Sequence, residues 1–185
     1  MEYHTRTIRM KVPVTNRTTR PPTQDTWRQL IRLLLAFKGE RTDNDMIGDY
    51  QCDAWGSSSG ETCAPELSAL AALGMSVQRE RTAFSSQRTA HLRKRVLENE
   101  PRFVVMYGGG KTLLPNGNYV ATGDDRAPAF QFEAIEGWSV GFKLDGPTKF
   151  VRASHPVKVH GPAPPDEYWL AIAKKLCEAL SEKPR

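Results

Sequence analysis

The sequence has few residues that bind metals, and those few are far apart. Three cysteines and four histidines occur in 185 residues, at Cys52, Cys63, Cys177, His4, His91, His155 and His160. No two cysteines form a CxxC pair, and a zinc site needs a tighter group of ligands than this. We therefore predict no metal site, and we interpret the cysteines as structural thiols.

Long apolar runs are also missing. No stretch of about 18 apolar residues occurs, so we expect no membrane span. Residues 1–20 lack an apolar core followed by a small-residue cleavage site, which argues against a secretory signal. These two absences predict a cytoplasmic protein that does not bind membranes.

The charge of the chain is unevenly distributed and mainly basic. The net charge is +5, and lysines and arginines concentrate in residues 1–20, 79–95 and 149–158. Because such surfaces attract polyanions, a nucleic-acid partner is one interpretation of this charge, and ordinary solubility charge is the other. Length and an apolar content of 39% predict a single domain at residues 24–185, which we expect to be monomeric. The basic residues 1–23 alternate only weakly before Pro21-Pro22 and are predicted to form an N-terminal arm.

Apolar periodicity and end signals predict helices that alternate with strands. The predicted helices cover residues 25–38, 65–74, 87–99 and 168–180; the predicted strands cover 102–107 and 149–153, with short strands or a hairpin within 113–148. Alternation of this kind is typical of an α/β protein. The predicted fold is a three-layer α/β/α sandwich with a mostly parallel central sheet.

A histidine stands where the strand at 149–153 ends. Ser154, His155 and Pro156 follow that strand directly, and the proline stops it and stiffens the turn. The carboxyl ends of parallel strands are where open α/β sheets bind their ligands. An imidazole there suits proton transfer or the stabilisation of negative charge. The alternative is an ordinary solvated turn histidine.

Two acids and two aromatic residues form a second candidate group. Asp49 and Asp53 lie close to Tyr50 and Trp55 in a polar region of the chain. A carboxylate can position a water molecule or stabilise a cationic sugar, and an aromatic ring can stack on a base. The acids can equally be turn residues, and the aromatic rings can equally belong to the core.

Two short motifs indicate other chemistry. The sequence Gly56 to Gly60 satisfies G-x-S-x-G, the nucleophile elbow of serine hydrolases, with Ser58 as nucleophile. The elbow needs a buried strand before it, and residues 50–55 are a poor one, so a serine esterase is an alternative rather than the main hypothesis. The Gly-Lys-Thr at 110–112 lacks the earlier glycine of a phosphate-binding loop, which excludes an NTPase.

From about residue 46 to 180 the layout resembles the uracil-DNA glycosylase superfamily. Residues 46–50 are similar to its first motif, a strand leading into a loop whose polar residue holds the attacking water. Residues 81–86 are similar to its base-reading motif and 103–108 to its central strand, and Ser154-His155-Pro156 is similar to its late motif, whose loop enters the minor groove. The resemblance implies a three-layer α/β fold and the excision of a damaged base.

The resemblance also implies roles for particular residues. Asp49 or Asp53 would orient water, and His155 would stabilise the charge on the departing base after it is flipped out. The remaining candidates are base-binding Tyr50, Trp55, Ser85 and Ser86 and DNA-binding Gly108, Lys111, Arg152, Ser154, Pro156, Val157, Lys158 and Val159. No metal or organic cofactor is implied.

The sequence departs from the family pattern at three places. No proline follows Gly48, which leaves the choice between Asp49 and Asp53 open, and Val157 replaces a serine. Residues 85–87 replace an expected asparagine, so we expect a base other than uracil, such as hypoxanthine, an alkylated base or a modified phage base. The last would make the protein a phage-defence glycosylase. A DNA-binding module without catalytic activity remains a further alternative.

Overall fold

The computed structural model describes residues 23–57, 61–62, 85–107, 114–126, 129–157 and 162–181. These residues form five helices, α1 Asp25–Lys38, α2 Asn44–Asp53, α3 Ser85–Asn99, α4 Leu114–Thr122 and α5 Asp166–Ser181, and four strands, β1 Phe103–Tyr107, β2 Gln131–Ile135, β3 Trp138–Lys143 and β4 Lys149–Ala153. The chain divides into two compact units. Met1–Pro65 and Pro156–Arg185 form the helical unit, and Glu66–His155 forms the sheet unit.

Helices α1 and α5 form the core of the helical unit. Each carries apolar residues at helical spacing, and the buried members are Leu30, Ile31, Leu33, Leu34, Leu35, Tyr168, Trp169, Ile172, Ala173 and Leu176. Gly39 ends α1 as predicted, because its left-handed φ of 73° lets the chain turn while its N–H bonds to the Ala36 carbonyl. The buried Arg32 donates to Asp166 over 2.7 Å and so joins α1 to the start of α5.

The described residues of the sheet unit form four strands in the order β1-β4-β3-β2. Among these four, β1 and β4 pair in parallel, whereas β3 pairs with β4 and with β2 in antiparallel orientation. On one face, Val120, Phe130 and Phe150 form a buried cluster, against which Leu92 and Val96 of α3 pack. The β1–β4 pair thus lies beside an antiparallel hairpin.

The predicted three-layer sandwich with a mostly parallel sheet is wrong. Glu136 and Gly137 have φ values of 50° and 76°, the conformation of a two-residue hairpin turn, and this turn makes β2 and β3 antiparallel. The hairpin that was predicted within 113–148 supplies two of the four strands, and its antiparallel pairing makes the sheet mixed rather than mostly parallel.

Two further local predictions are corrected. Residues 46–50, expected to be a strand leading into a loop, belong to helix α2, whose Met46 N–H is capped by the Asp43 carboxylate. Residues 114–122, in the region expected to hold strands, form helix α4. The helix predicted at 65–74 lies outside the described residues, as does all but residue 23 of the predicted arm, so that arm and the single domain at 24–185 stay predictions.

Candidate functional site

His155 follows the end of β4, as the sequence predicts. The parallel register places Tyr107, the last residue of β1, directly opposite Ala153, the last residue of β4. The half-buried His155 comes two residues later, and its ring meets the Tyr107 ring edge to face, with centroids 5.6 Å apart. The carboxyl edge of the β1–β4 pair therefore presents an imidazole whose ring is in contact with a phenol ring.

The residues next to His155 are hydrogen-bonded or buried. Ser154 donates from Oγ to the Ser139 carbonyl on β3 over 3.3 Å. The Pro156 side chain is fully buried, and Val157 is half-buried. The Ser154 hydrogen bond therefore joins the chain to β3 directly before His155.

Arg152 lies on β4, three residues before His155. It is half-buried, and burial lowers the pKa of its guanidinium from the ordinary value. The guanidinium carbon lies 5.8 Å from the centre of the Phe132 ring, a cation–π distance. Phe132 was not among the predicted site residues, although its side chain is 53% exposed.

The two predicted acids lie on a helix rather than at the end of a strand. Asp49 is half-buried and Asp53 is exposed, and their spacing of four residues places them on the same side of α2. Both belong to the helical unit, whereas His155 belongs to the sheet unit. That either carboxylate works together with His155 stays a prediction.

The two predicted base-stacking residues have contacts within the helical unit. Trp55 is 8% exposed, and its ring lies 6.5 Å from the Trp27 ring. Trp55 is therefore a core residue, which was the alternative to base stacking. The Tyr50 hydroxyl donates to Glu61 over 2.8 Å. Burial and this bond to Glu61 raise the pKa of Tyr50. Both rings are therefore engaged in packing or hydrogen bonding.

Lys38, Tyr50 and Glu61 form a cluster in the helical unit that sequence reasoning missed. Its Oε1 accepts from Lys38 and from Tyr50, each over 2.8 Å, and Lys38 also lies 5.5 Å from the Tyr50 ring centre. The Lys38 hydrogen bond is the largest cause of the lowered pKa of Glu61, and the Glu61 hydrogen bond is the largest cause of the raised pKa of Lys38. No sequence spacing signals this cluster, because its members are distant in the chain.

The nucleophile elbow lacks the strand that it needs. Ser58 and Gly60 lie outside the described residues, but Gly56 is described and follows directly after helix α2 and a turn. Its N–H donates to the Thr62 hydroxyl over 2.8 Å. A nucleophile elbow projects its serine from a strand-to-helix turn, so the esterase alternative has no support in this geometry.

Several predicted residues are described only in part or not at all. Ser85 and Ser86 form the first turn of α3, and Ser86 is exposed. The predicted DNA contacts that lie outside the described residues are Gly108, Lys111, Lys158 and Val159. Their roles stay predictions.

A shallow cleft of about 140 Å³ lies elsewhere in the sheet unit. It is formed by α3 and by the β3–β4 turn, with Arg93, Leu97 and Asp145 among its lining residues. None of the predicted site residues lines this cleft. Within the described ranges, no group of three or more histidines, cysteines or acids is arranged to hold a metal ion, and no helix there is long and apolar enough to cross a membrane.

Comparison with models of protein families, with curated proteins and with solved structures finds no match for this chain. The resemblance to the uracil-DNA glycosylase superfamily therefore stays a prediction. Of what it implied, the three-layer fold is wrong. The function must be argued from the residues of the site.

Proposed function

We propose that this protein binds DNA through its sheet unit. The observation that carries the proposal is the charge of α3, which has four basic residues and one acidic residue, Glu98. Lys94 and Arg95 are exposed to solvent, whereas Arg93 donates to the Tyr119 and Val120 carbonyls at the end of α4. An exposed basic helix suits phosphate contacts, which supply most of the affinity of non-specific DNA binding.

The sequence of the sheet unit supports the same proposal. Residues 66–155 contain twelve lysines and arginines against nine acids. Arg102, just after α3, is also exposed. Basic side chains that are close together on a surface raise the local concentration of a polyanion and accelerate its association.

DNA binding is tested by the affinity of the full-length protein for labelled single strands and duplexes, measured by fluorescence anisotropy over a range of salt concentrations. We expect the logarithm of the affinity to fall linearly with the logarithm of the salt concentration, with a slope of about 0.7 to 0.9 for each phosphate contacted. No binding to either form at low salt, or binding that does not depend on salt, would contradict the proposal.

Base excision is a second candidate function, favoured by the position of His155. An imidazole at the carboxyl edge of two parallel strands is suitably placed to stabilise the negative charge on a departing base. In this hypothesis the enzyme hydrolyses an N-glycosidic bond after base flipping, and Asp49 or Asp53 orients the water. The base is expected to differ from uracil. If it is a bulky modified base of the kind found in phage DNA, the protein would act in defence against phages.

Base excision is tested by incubating the protein with duplexes that each contain one candidate base: uracil, hypoxanthine, an alkylated base or a bulky modified base. We expect free base and an abasic strand from at least one substrate, and a loss of rate of about 10²-fold in His155→Ala. If the wild-type protein releases no base from any duplex, the excision hypothesis is wrong. The DNA-binding proposal is tested separately by the anisotropy measurement.

A further inference from the structure

Phe132, Gly141 and Arg152 form one row across three neighbouring strands. Phe132 of β2 is opposite Gly141 of β3, and Gly141 is in turn opposite Arg152 of β4. Residues that are directly opposite each other point to the same face of a sheet, so all three belong to one face. We call this row the Phe132 platform.

The glycine in the middle of the row allows the two outer side chains to meet. Neighbouring strands are about 4.8 Å apart, so β2 and β4 are separated by about twice that distance. A Cβ atom on Gly141 would lie 2.8 Å from Cε1 of Phe132, so the ring occupies the space that a side chain would fill. The ring thereby reaches Arg152, whose guanidinium carbon lies 5.8 Å from the ring centre.

The Phe132 ring is held in position although it is exposed. Phe130 contacts it from within the same unit, with ring centroids 6.4 Å apart and planes tilted by 52°. Gly141 and Arg152 bound it on the sheet. Phe132 is still 53% exposed, so part of the ring faces solvent while the Arg152 guanidinium lies over the ring.

We propose that the Phe132 platform stacks one unpaired base of single-stranded DNA, with Arg152 beside it at the adjacent phosphate. This proposal rests on the DNA binding proposed above and specifies the form of DNA. A base can stack on an exposed aromatic ring only when it is free of its own stack and pair, whereas the positive charge of Arg152 complements the DNA backbone. Duplex DNA offers no such base except at its ends.

The test compares three labelled probes with the full-length protein: a single strand of about twelve nucleotides, a strand of equal length built from abasic residues, and a duplex. All three carry phosphates, but only the first offers free bases. Since stacking contributes about 1–3 kcal/mol per base, we expect the base-containing strand to bind about tenfold more tightly than the abasic strand.

Variants of the platform separate stacking from phosphate binding. Phe132→Ala is expected to bind the base-containing and abasic strands equally, whereas Phe132→Trp restores the difference. Gly141→Ala is expected to weaken binding to the base-containing strand, because the added methyl group displaces the ring. Leu170→Ala is the control, since Leu170 is an exposed apolar residue on α5, outside the proposed DNA-binding unit, and is expected to leave all three affinities unchanged.

Each result decides between the two proposals. If the wild-type protein binds no probe, DNA binding itself is wrong. If it binds the abasic strand or the duplex as tightly as the base-containing strand, or if Phe132→Ala behaves like Leu170→Ala, DNA binding stands and the stacking proposal is overturned. Thermal unfolding of each variant, followed by circular dichroism, shows whether a lost affinity reflects an unfolded protein. If Phe132→Ala is unfolded, the stacking proposal is decided by whether Phe132→Trp binds the base-containing strand more tightly than the abasic strand.

Discussion

The two units of this protein use their polar and aromatic residues differently. In the helical unit, several such groups contact one another. Arg32 bonds to Asp166, and Glu61 bonds to Lys38 and Tyr50. The Trp55 ring packs on the Trp27 ring. In the sheet unit, exposed aromatic and basic groups include Phe132 and Arg95. Groups that already satisfy each other stabilise a fold, whereas exposed groups are available to a ligand. These contacts therefore stabilise the helical unit, and the exposed groups of the sheet unit are those through which we propose that DNA binds.

The largest expected effect is a loss of stability from a substitution in the core of the helical unit. Ile172 of α5 is completely buried, so Ile172→Ala should lower the free energy of unfolding by about 3 kcal/mol through lost burial and a cavity. Leu170→Ala, at a 37% exposed position on the same helix, is the control and should change it by less than about 0.5 kcal/mol. Chemical denaturation measures both. Equal losses in the two variants would mean that α5 does not pack as described.

A smaller effect is expected at the turn that makes the hairpin. Gly137 has a φ of 76°, a conformation in which a side chain is strained, so Gly137→Ala should lower the free energy of unfolding by about 1 kcal/mol. No atom would obstruct the added methyl group, so the loss comes from the backbone alone. The denaturation midpoint reports it. A variant as stable as the wild type would argue against this turn and against the antiparallel pairing that follows from it.

The smallest effect depends on pH and concerns Glu61. Its pKa is lowered in the folded protein, chiefly by the hydrogen bond from Lys38, so its contribution is present above the pKa of the unfolded carboxyl and is lost as the pH falls through the folded value. Because the pair is largely exposed, Glu61→Gln should cost less than about 1 kcal/mol at neutral pH.

The Glu61 prediction is checked by denaturation of wild type and Glu61→Gln at neutral and at acidic pH. The difference in unfolding free energy between them should shrink as the pH falls below the ordinary range of a glutamate. Glu178→Gln, which removes an exposed carboxylate from α5, controls for the loss of one charge. A difference that stays constant with pH would mean that the carboxylate charge does not stabilise the unit.

Local patterns predicted most of the elements but not their arrangement. Helices α1, α3 and α5 and strands β1 and β4 have apolar periodicity or clear end signals, and each lies within a few residues of its prediction. Helix α2 was missed because it is mostly polar. Helix α4 was missed because its sequence LPNGNYVAT contains proline and glycine, which disfavour helices. The sheet order was missed because strand pairing depends on contacts that are distant in the chain.

Part of the candidate site could likewise be predicted from the sequence, and part could not. The place of His155 could be predicted, because Pro156 marks the end of the strand before it. The Phe132 platform could not, because it needs the cross-strand register of three strands. A signal was nevertheless present: Glu136-Gly137 is a hairpin turn, and counting outward from it places Phe132 opposite Gly141.

The central claim, that DNA binds the sheet unit, is tested most directly by one matched pair of charge reversals. Arg95 on α3 and Lys174 on α5 are both exposed basic residues on helices, one in each unit. The affinity of full-length Arg95→Glu and Lys174→Glu for the same labelled DNA strand is measured at one low salt concentration. We expect Arg95→Glu to bind about tenfold more weakly than the wild type and Lys174→Glu to bind about as tightly as it. Equal losses in both variants, or a larger loss in Lys174→Glu, would contradict the claim.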